Sequence, residues 1–516
     1  MTPTIHPYEA EVLIAGAGPT GLVLALWLTR LGVRVRIVDK TSQPGTTSRA
    51  LAVQARTLEF YGQLGFADEV VRQGRWATEA NMWVGGRRVA QISFDGMGSG
   101  ISPYPYPLIY PQDEHERLLI ERLTELGVTV ERETEVVSFE EAGDRVQVKL
   151  RKPDGSEETC TVEYVGGCDG ARSTTREHVG IGFPGGTYEH LFYVADVQAT
   201  GLAVNGDLNI ALERSDFLVV FPLKSEGRAR FIGTVKDDSR KAEELSWESV
   251  NKGIVEHLRT EVQRVNWFST YRVHHRVADR FRKGRSFLLG DAAHIHSPVG
   301  GQGMNTGIGD AVNLAWKLAA VLRRRAKATL LDTYEPERIA FARRLVATTD
   351  RAFTTVTSSG ALARFVRLSV VPVVAPLLFR SRMLRRFLFR TVSQVNVNYR
   401  VSSLSRGRVG PVHAGDRLPW VKTDKDGAGE DNFAPMKSLD WQLHIYGEAA
   451  PEVQALSVEQ KLPLHVFPWR AEMKQSGLRR NALYLVRPDG YVAVAAARNC
   501  VETVRSYLAE WGFSAA

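Results

Sequence analysis

The segment Glu11–Asp39, EVLIAGAGPTGLVLALWLTRLGVRVRIVD, constrains this chain more than any other. Glu11–Ala15 reads as a buried parallel strand, Leu22–Leu31 as the helix after it, and Arg34–Val38 as the next strand. Between strand and helix, Gly16 allows a tight turn, Gly18 lets a pyrophosphate approach the backbone, and Gly21 lets helix and strand pack closely. Pro19 and Thr20 sit at the helix N-terminus, whose free N–H groups and dipole favour phosphate. Asp39 ends the second strand, just before Lys40, where a carboxylate can accept hydrogen bonds from an adenosine ribose. Together these residues predict a βαβ dinucleotide-binding unit. Gly180–Gly185 (GIGFPG) spells the same glycine pattern, but it contains Pro184 and runs into the strand-like YEHLFYVADV. It reads as a loop.

Two more glycine-centred segments follow, GCDGARS (Gly167–Ser173) and GDAAHIHSPVGGQGMN (Gly290–Asn305). In this order, and with Asp39, the three segments are most simply read as an FAD site that performs redox chemistry. Ser286–Gly290 (SFLLG) predicts a buried strand, and a carboxylate beyond its C-terminal end, Asp291, suits a hydroxylated ligand. The alternatives are an N-cap role for Asp291 and a turn role for Asp169. In Pro298–Asn305 the glycines let backbone N–H groups converge, and a helix starting near Asn305 adds its positive end. Donors from this stretch, with Pro298, Gly301, Gly303, Met304 and Asn305 in it, would stabilise the anion formed at the flavin N1/C2=O edge on reduction. His294 and His296 have no third ligand at suitable spacing, so no metal site is expected.

The rest of the chain sets the frame. Its 516 residues suggest two to four domains. Helical periodicity appears in Thr57–Arg72 and Asp113–Leu126, strands at Thr129–Phe139, Arg145–Arg151 and Thr159–Val165, and a hairpin turn at Lys152–Ser156. From Tyr188 to about Arg280 long apolar or alternating runs predict an antiparallel sheet interrupting the dinucleotide fold. The expected division is 1–187 (with some strands of the sheet domain near 80–107), 188–280, a return over 281–350, a helical connector over 351–404 and a small α/β domain over 405–516. Val12–Leu28 is preceded by Glu9 and Glu11 without Lys or Arg and is interrupted by glycines, unlike a signal peptide. Three cysteines without a CxxC give no disulfide framework, which fits a reduced, cytoplasmic protein. The net charge of +8 is not clustered as in a nucleic-acid binder. Arg323–Arg325 and Arg380–Arg390 read as solvated helix faces and ends, with membrane-surface contact through the second patch as the alternative.

SRALAVQARTLE (Ser48–Glu59), YPQDEHERLL (Tyr110–Leu119), GCDGARSTTR (Gly167–Arg176) and the segment 290–305 resemble the class A flavoprotein aromatic hydroxylases of the p-hydroxybenzoate hydroxylase fold. The likeness spans essentially the whole chain. It points to the subgroup with a thioredoxin-like C-terminal domain, which includes phenol and aromatic-polyketide hydroxylases. The resemblance implies an α/β fold: a Rossmann-like FAD-binding domain interrupted by an antiparallel-sheet substrate domain, then the thioredoxin-like domain. It implies that Arg49 and Gln112 meet the FAD phosphate and ribityl region, and that a backbone group at Val136 meets the adenine. Asp169 would serve FAD and the pyridine nucleotide, and Asp291 would hold the ribityl chain. FAD would be non-covalent, with NADPH or NADH and O2 as co-substrates and a flavin C4a-hydroperoxide hydroxylating an electron-rich ring. Baeyer–Villiger oxidation or epoxidation is the alternative use of the same chemistry. The partner would be a small aromatic molecule, with a homodimer allowed. Trp83, Phe221, Pro222 and Pro298 are the substrate candidates, and no catalytic side chain is assigned because the cofactor carries the chemistry.

Overall fold

A computed structural model describes the chain except residues 1–9, 46–49, 205, 214–216, 236–244, 298–299, 358–359, 361–364, 424–429, 499 and 514–516. Its first sheet places Val130–Glu131, Val35–Val38, Val12–Ala15, Tyr164–Gly167 and Ser286–Leu288 side by side, all parallel, with Arg282–Lys283 antiparallel at the edge. The first strand is central, and the strand order reverses there. Pro19–Arg30 and Gly303–Leu322 pack on this sheet, and both are buried nearly all round because each lies between the sheet and other elements. A three-stranded sheet, Glu135–Ala142, Arg145–Arg151 and Glu157–Val162, covers the other face through Val136, Val148 and Val162.

The interrupting sheet has eight strands. In order they are His294–Ile295, Thr260–Val277, Gly185–Gly201, Arg228–Thr234, Phe217–Pro222, Leu208–Leu212, Glu79–Val84 and Arg87–Ser93. Leu208–Leu212 and Glu79–Val84 pair in parallel, so the sheet is mixed rather than purely antiparallel. The reason is topological: the last two strands come from the early part of the chain and enter as a separate hairpin. The outer face packs Tyr193, Leu218, Val220 and Phe231 under the short helix Lys252–His257. The inner face meets the first domain, where Phe221 and Ile232 pack with Leu51, Ala77 and Ile109.

Two predicted elements divide. The periodic run Thr57–Arg72 is two helices, Ala55–Leu64 and Ala67–Gln73, separated at Gly65. The predicted strand Thr159–Val165 splits at Glu163, leaving Glu157–Val162 in the three-stranded sheet and Tyr164–Gly167 in the parallel one. After the long helix Tyr334–Thr357 come two short helices, Val371–Arg380 and Arg382–Val392. The last region is a six-stranded sheet in the order Val412–His413, Arg406–Val409, Val492–Ala496, Leu483–Val486, Gln442–Tyr446, Leu464–Phe467, with the second and third strands parallel, the last two parallel and the other pairs antiparallel. Trp316 of the helix Gly303–Leu322 enters the core of that region beside Leu443, Leu485 and Tyr507, so the two domains share apolar packing.

Candidate functional site

Four loops leave the C-terminal edge of the parallel sheet, where the strand order reverses and ligands of such sheets bind. They begin at Gly16, Asp39, Cys168 and Gly290, each directly after or one residue beyond its strand. Gly16 has φ +100°, and a Cβ there would lie 2.4 Å from the Cys168 carbonyl oxygen. A Cβ at Gly21 would lie 1.9 Å from the Gly16 carbonyl oxygen, so only glycine lets the helix approach the strand this closely. Nothing lies within 4 Å of a Cβ at Gly18, which leaves its face open beside the helix N-terminus. The Asp39 carboxylate accepts hydrogen bonds from the Ala17 N–H (2.7 Å), the Thr41 N–H (2.8 Å) and the Thr41 hydroxyl (2.6 Å), which fixes it beside the glycine turn. Lys40 is exposed.

The second half of the site is locked to the first through Thr20. Its hydroxyl sits where a Cβ at Gly290 (2.7 Å) or at Gly307 (2.3 Å) would be. Thr20 is thus a packing residue between three backbones, the helix from Pro19, the turn at Gly290 and the helix Gly303–Leu322. Asp291 is exposed in the one-turn helix Gly290–Ala292, on the same edge.

Asp310 holds that turn. Its buried carboxylate accepts from the Gly290 N–H (3.0 Å), bonds His294 Nε2 (2.7 Å) and accepts from Arg338 Nε (2.6 Å). Burial works to raise this carboxyl, but Arg338 and His294 hold it below the ordinary carboxylate range. Arg338 in turn donates to the Thr306 carbonyl (3.0 Å) and the Tyr399 hydroxyl (2.8 Å).

At the glycine-rich helix start, the Asn305 side chain is saturated by protein. Its oxygen accepts from the Gln54 N–H (2.8 Å) and the Thr57 hydroxyl (2.7 Å), and its amide donates to the carbonyls of Ala52 and Gly301 (both 2.9 Å). The Asn305 side chain therefore buttresses the strand Ala52–Val53 against the helix start, and the role expected of this stretch rests on its backbone N–H groups. Met304 is half-buried beside it. His296 was passed over as a metal candidate, yet it lies at this place. Its Nδ1 donates to the Ser297 carbonyl (2.7 Å), which leaves Nε2 as an acceptor. That Nε2 is buried without a hydrogen-bond partner among the described residues and lies 3.7 Å from where a Cβ at Gly303 would stand. Burial lowers the ring's pKa to about 4, so it is neutral near pH 7.

Other predicted residues fall less neatly. The Asp169 carboxylate accepts from the hydroxyls of Ser173 (2.5 Å) and Thr175 (3.0 Å) and from the Thr175 N–H (2.8 Å). These bonds fold its own turn, the alternative role read from the sequence, in the same pattern by which Asp39 holds the glycine turn. Gln112 opens the helix Gln112–Glu125 and donates to Glu116 (2.7 Å), whose other oxygen accepts from the Gly45 N–H (3.0 Å). Val136 is buried opposite Leu150 with its side chain in the core. Arg49 and Pro298 lie outside the described residues.

Of the substrate candidates, Phe221 is on the inner sheet face. Strand alternation turns Pro222 to the outer face. Trp83 also packs there, with Nε1 donating to Asn209 (2.9 Å), so it is core and the prediction is corrected. Sequence reasoning missed Arg230, the register partner of Phe221. This buried guanidinium donates to both oxygens of Asp196 (2.5 and 2.7 Å) and to the Ala50 carbonyl (3.4 Å), tying the inner face to the segment after Arg49.

The open face at Gly18, the exposed Asp291 on the same sheet edge and the Nε2 of His296, without a partner among the described residues, fit a dinucleotide with a polyol linker, which defines an FAD-dependent oxidoreductase. The sequence profile of the "FAD binding domain" family matches residues 9–349. The chain is 34% identical to the 6-methylpretetramide 4-monooxygenase of Streptomyces rimosus, across 97% of this chain and 94% of that protein. It is 33% identical to a flavin-dependent monooxygenase of Mycobacteroides abscessus, across 96% and 99%. The solved structure of OxyS, an anhydrotetracycline hydroxylase from Streptomyces rimosus, superposes with a TM-score of 0.79 at 28% identity, covering 98% of this chain and 99% of that one. The chain belongs to the flavin-dependent monooxygenases built on this FAD-binding domain.

Proposed function

We propose that the protein hydroxylates a phenolic or polycyclic aromatic substrate, with non-covalent FAD, NADH or NADPH as electron donor and O2 as oxygen source. The observation that carries this reading is the packing of Thr20, from the helix that follows the glycine turn, against Gly290 and Gly307, while Gly301 meets Ala52, next to Leu51, which packs with Phe221 of the eight-stranded sheet. FAD, when bound, supplies electron transfer from a nicotinamide and oxygen transfer to the ring. The chain's own residues bind, orient and shield. Backbone at Gly18 and the N–H groups opening the helix at Pro19 receive the pyrophosphate, and Asp39 the ribose. Asp291 receives ribityl hydroxyls. The N-terminus of Gly303–Leu322 offers backbone donors where negative charge develops. His296 Nε2 offers one neutral acceptor to a ligand N–H or O–H.

Relatives named for oxidation of aromatic polyketides and chlorinated phenol support ring hydroxylation over Baeyer–Villiger insertion or epoxidation. The C-terminal region reads as thioredoxin-like. The order of its last four strands, with helices Pro451–Glu459 and Val501–Trp511, supports this. Its one cysteine, Cys500, lacks the neighbouring thiol that dithiol exchange needs, so a packing role is proposed. The test is a panel of phenols and polycyclic phenolic ketides scored for stimulated NAD(P)H oxidation, with hits run under 18O2. A ring hydroxyl carrying the label supports the reading, and unlabelled product or label in an ester oxygen inserted between a carbonyl carbon and its neighbour sinks it.

A further inference from the structure

Between Asp350 and Asp416 the chain has no Asp, Glu or Lys but eleven arginines. Within this stretch Val371–Arg380 and Arg382–Val392 form a helical hairpin, turned at Ser381, whose hydroxyl accepts from the Leu384 N–H (3.4 Å). Each helix is anchored by a phenylalanine: Phe379 packs near Met82 and Ile92 of the eight-stranded sheet, and Phe389 near Met97 and Ile101. Each helix also carries open apolar residues. Val373 and Leu377 are 61% and 55% exposed, Met383 and Phe387 81% and 59%. Each pair is spaced i,i+4, so each forms a stripe on one helix face. Scattered exposed hydrophobics need no explanation, but a grouped set marks an interaction surface.

The charge carried by these two helices is one-signed. Arg380, Arg382 and Arg390 are exposed, while Arg385 and Arg386 donate only to the carbonyls of Asp95 (3.0 Å) and Ser99 (2.7 Å). None of the five has a carboxylate partner among the described residues. Partial burial, then Arg390 and Arg382, lower the pKa of Arg386, in keeping with positive charge left uncompensated.

We propose that this hairpin is a docking surface for an anionic phospholipid bilayer. The apolar stripe would enter the boundary between headgroups and acyl chains, and the guanidinium groups would stay among the phosphates. A second copy fits worse, since it would press five arginines against five. A nucleic acid would match the charge but leave the stripe in water. Contact would be peripheral, because no helix among the described residues is long and apolar enough to cross a membrane.

The test uses the full-length, FAD-loaded protein in sedimentation with vesicles of phosphatidylcholine alone or with one-third phosphatidylglycerol. Binding should require phosphatidylglycerol and weaken steeply with added salt. Arg382→Glu and Arg390→Glu should each weaken it about fivefold or more. Met383→Ser with Phe387→Ser, which leaves the charge unchanged, should weaken it about tenfold. These positions are exposed, so FAD content and circular dichroism should match the parent. Absent binding, equal binding to neutral vesicles, or indifference to either pair of substitutions overturns the proposal. So does a concentration-dependent dimer abolished by Phe387→Ser, which would assign the stripe to a second copy, or a polyglutamate preference over vesicles, which would assign it to an acidic protein.

Discussion

Replacing Asp310 with Asn tests whether the turn at Gly290 is held by the charge network behind it. The carboxylate is fully buried and joins three groups at 2.6 to 3.0 Å: Arg338, His294 and the Gly290 N–H. The asparagine keeps the volume but leaves Arg338 buried without a counter-charge, because its remaining partners, Thr306 O and Tyr399 OH, are neutral. Breaking a buried pair in this way costs about 3–5 kcal/mol. One weakened hydrogen bond at Gly290, about 1 kcal/mol, should lower FAD affinity roughly fivefold through the adjoining Asp291. Urea unfolding followed by circular dichroism reads the first quantity, and flavin-fluorescence titration of stripped protein reads the second. The double variant Asp310→Asn/Arg338→Met removes the stranded charge and should be less destabilised than the sum of the single ones. A loss under about 1 kcal/mol together with unchanged FAD affinity would refute the reasoning, since the turn would then stand without Asp310.

Other perturbations follow the same geometry. Gly21→Ala puts a methyl 1.9 Å from the Gly16 carbonyl oxygen, so the purified variant should carry little flavin by its visible absorbance. Gly18→Val meets no protein atom within 4 Å, so it should fold normally and still lose most FAD. Asp291→Ala should also weaken FAD retention, and unchanged affinity would remove the ribityl assignment. Burial lowers the pKa of His115 and His444 to about 3. Unfolded histidine titrates near 6.5, so between those values the unfolded state binds more protons. Stability should therefore be full above pH 6.5 and fall as pH drops, by up to about 1.4 kcal/mol per pH unit for each ring. His444→Gln should flatten the dependence of the urea midpoint over that range.

What the sequence disclosed, and what it hid, divides along a physical line. Strands buried on both faces announce themselves as short apolar runs, so EVLIA, RVRIV and SFLLG were legible with their order and with the acids that follow them. Glycine spacing was legible too, because close backbone approach permits no substitute. Long-range partners were not. Nothing local distinguishes Asn305 as a buttress from Asn305 as a ligand, since its four bonds go to residues 4 to 253 positions away. Alternation alone could not say which sheet face meets the first domain, so Trp83 and Phe221 looked alike. Nothing in the local sequence around Arg230 or Asp310 marks either charge as buried, though both are.

Those buried charges give the site its coherence. The helix Gly303–Leu322 touches the glycine turn at one end and the C-terminal domain at the other, and its polar residues are paired along the way. Asp310 faces Gly290, while Asn313 and Lys317 both donate to Glu337 (2.7 and 2.9 Å). Glu337 also accepts both terminal nitrogens of Arg487 from the C-terminal domain (2.9 and 3.1 Å), and Asp489 accepts from Trp316 (3.1 Å). Two contributions thus fix one helix: apolar packing of Trp316 sets its position, and directional bonds to Glu337 and Asp310 set its rotation. Rotation is what aims the N–H groups at Gly303. Arg487→Met should therefore do more than loosen the C-terminal domain. It leaves Glu337 with Lys317, Asn313 and Ser402 but removes the bidentate anchor, so the flavin reduction potential should fall as the donors at Gly303 lose their aim. Photoreduction against a dye of known potential measures it. A variant with lowered unfolding midpoint but an unshifted potential would confine the C-terminal domain to stability alone.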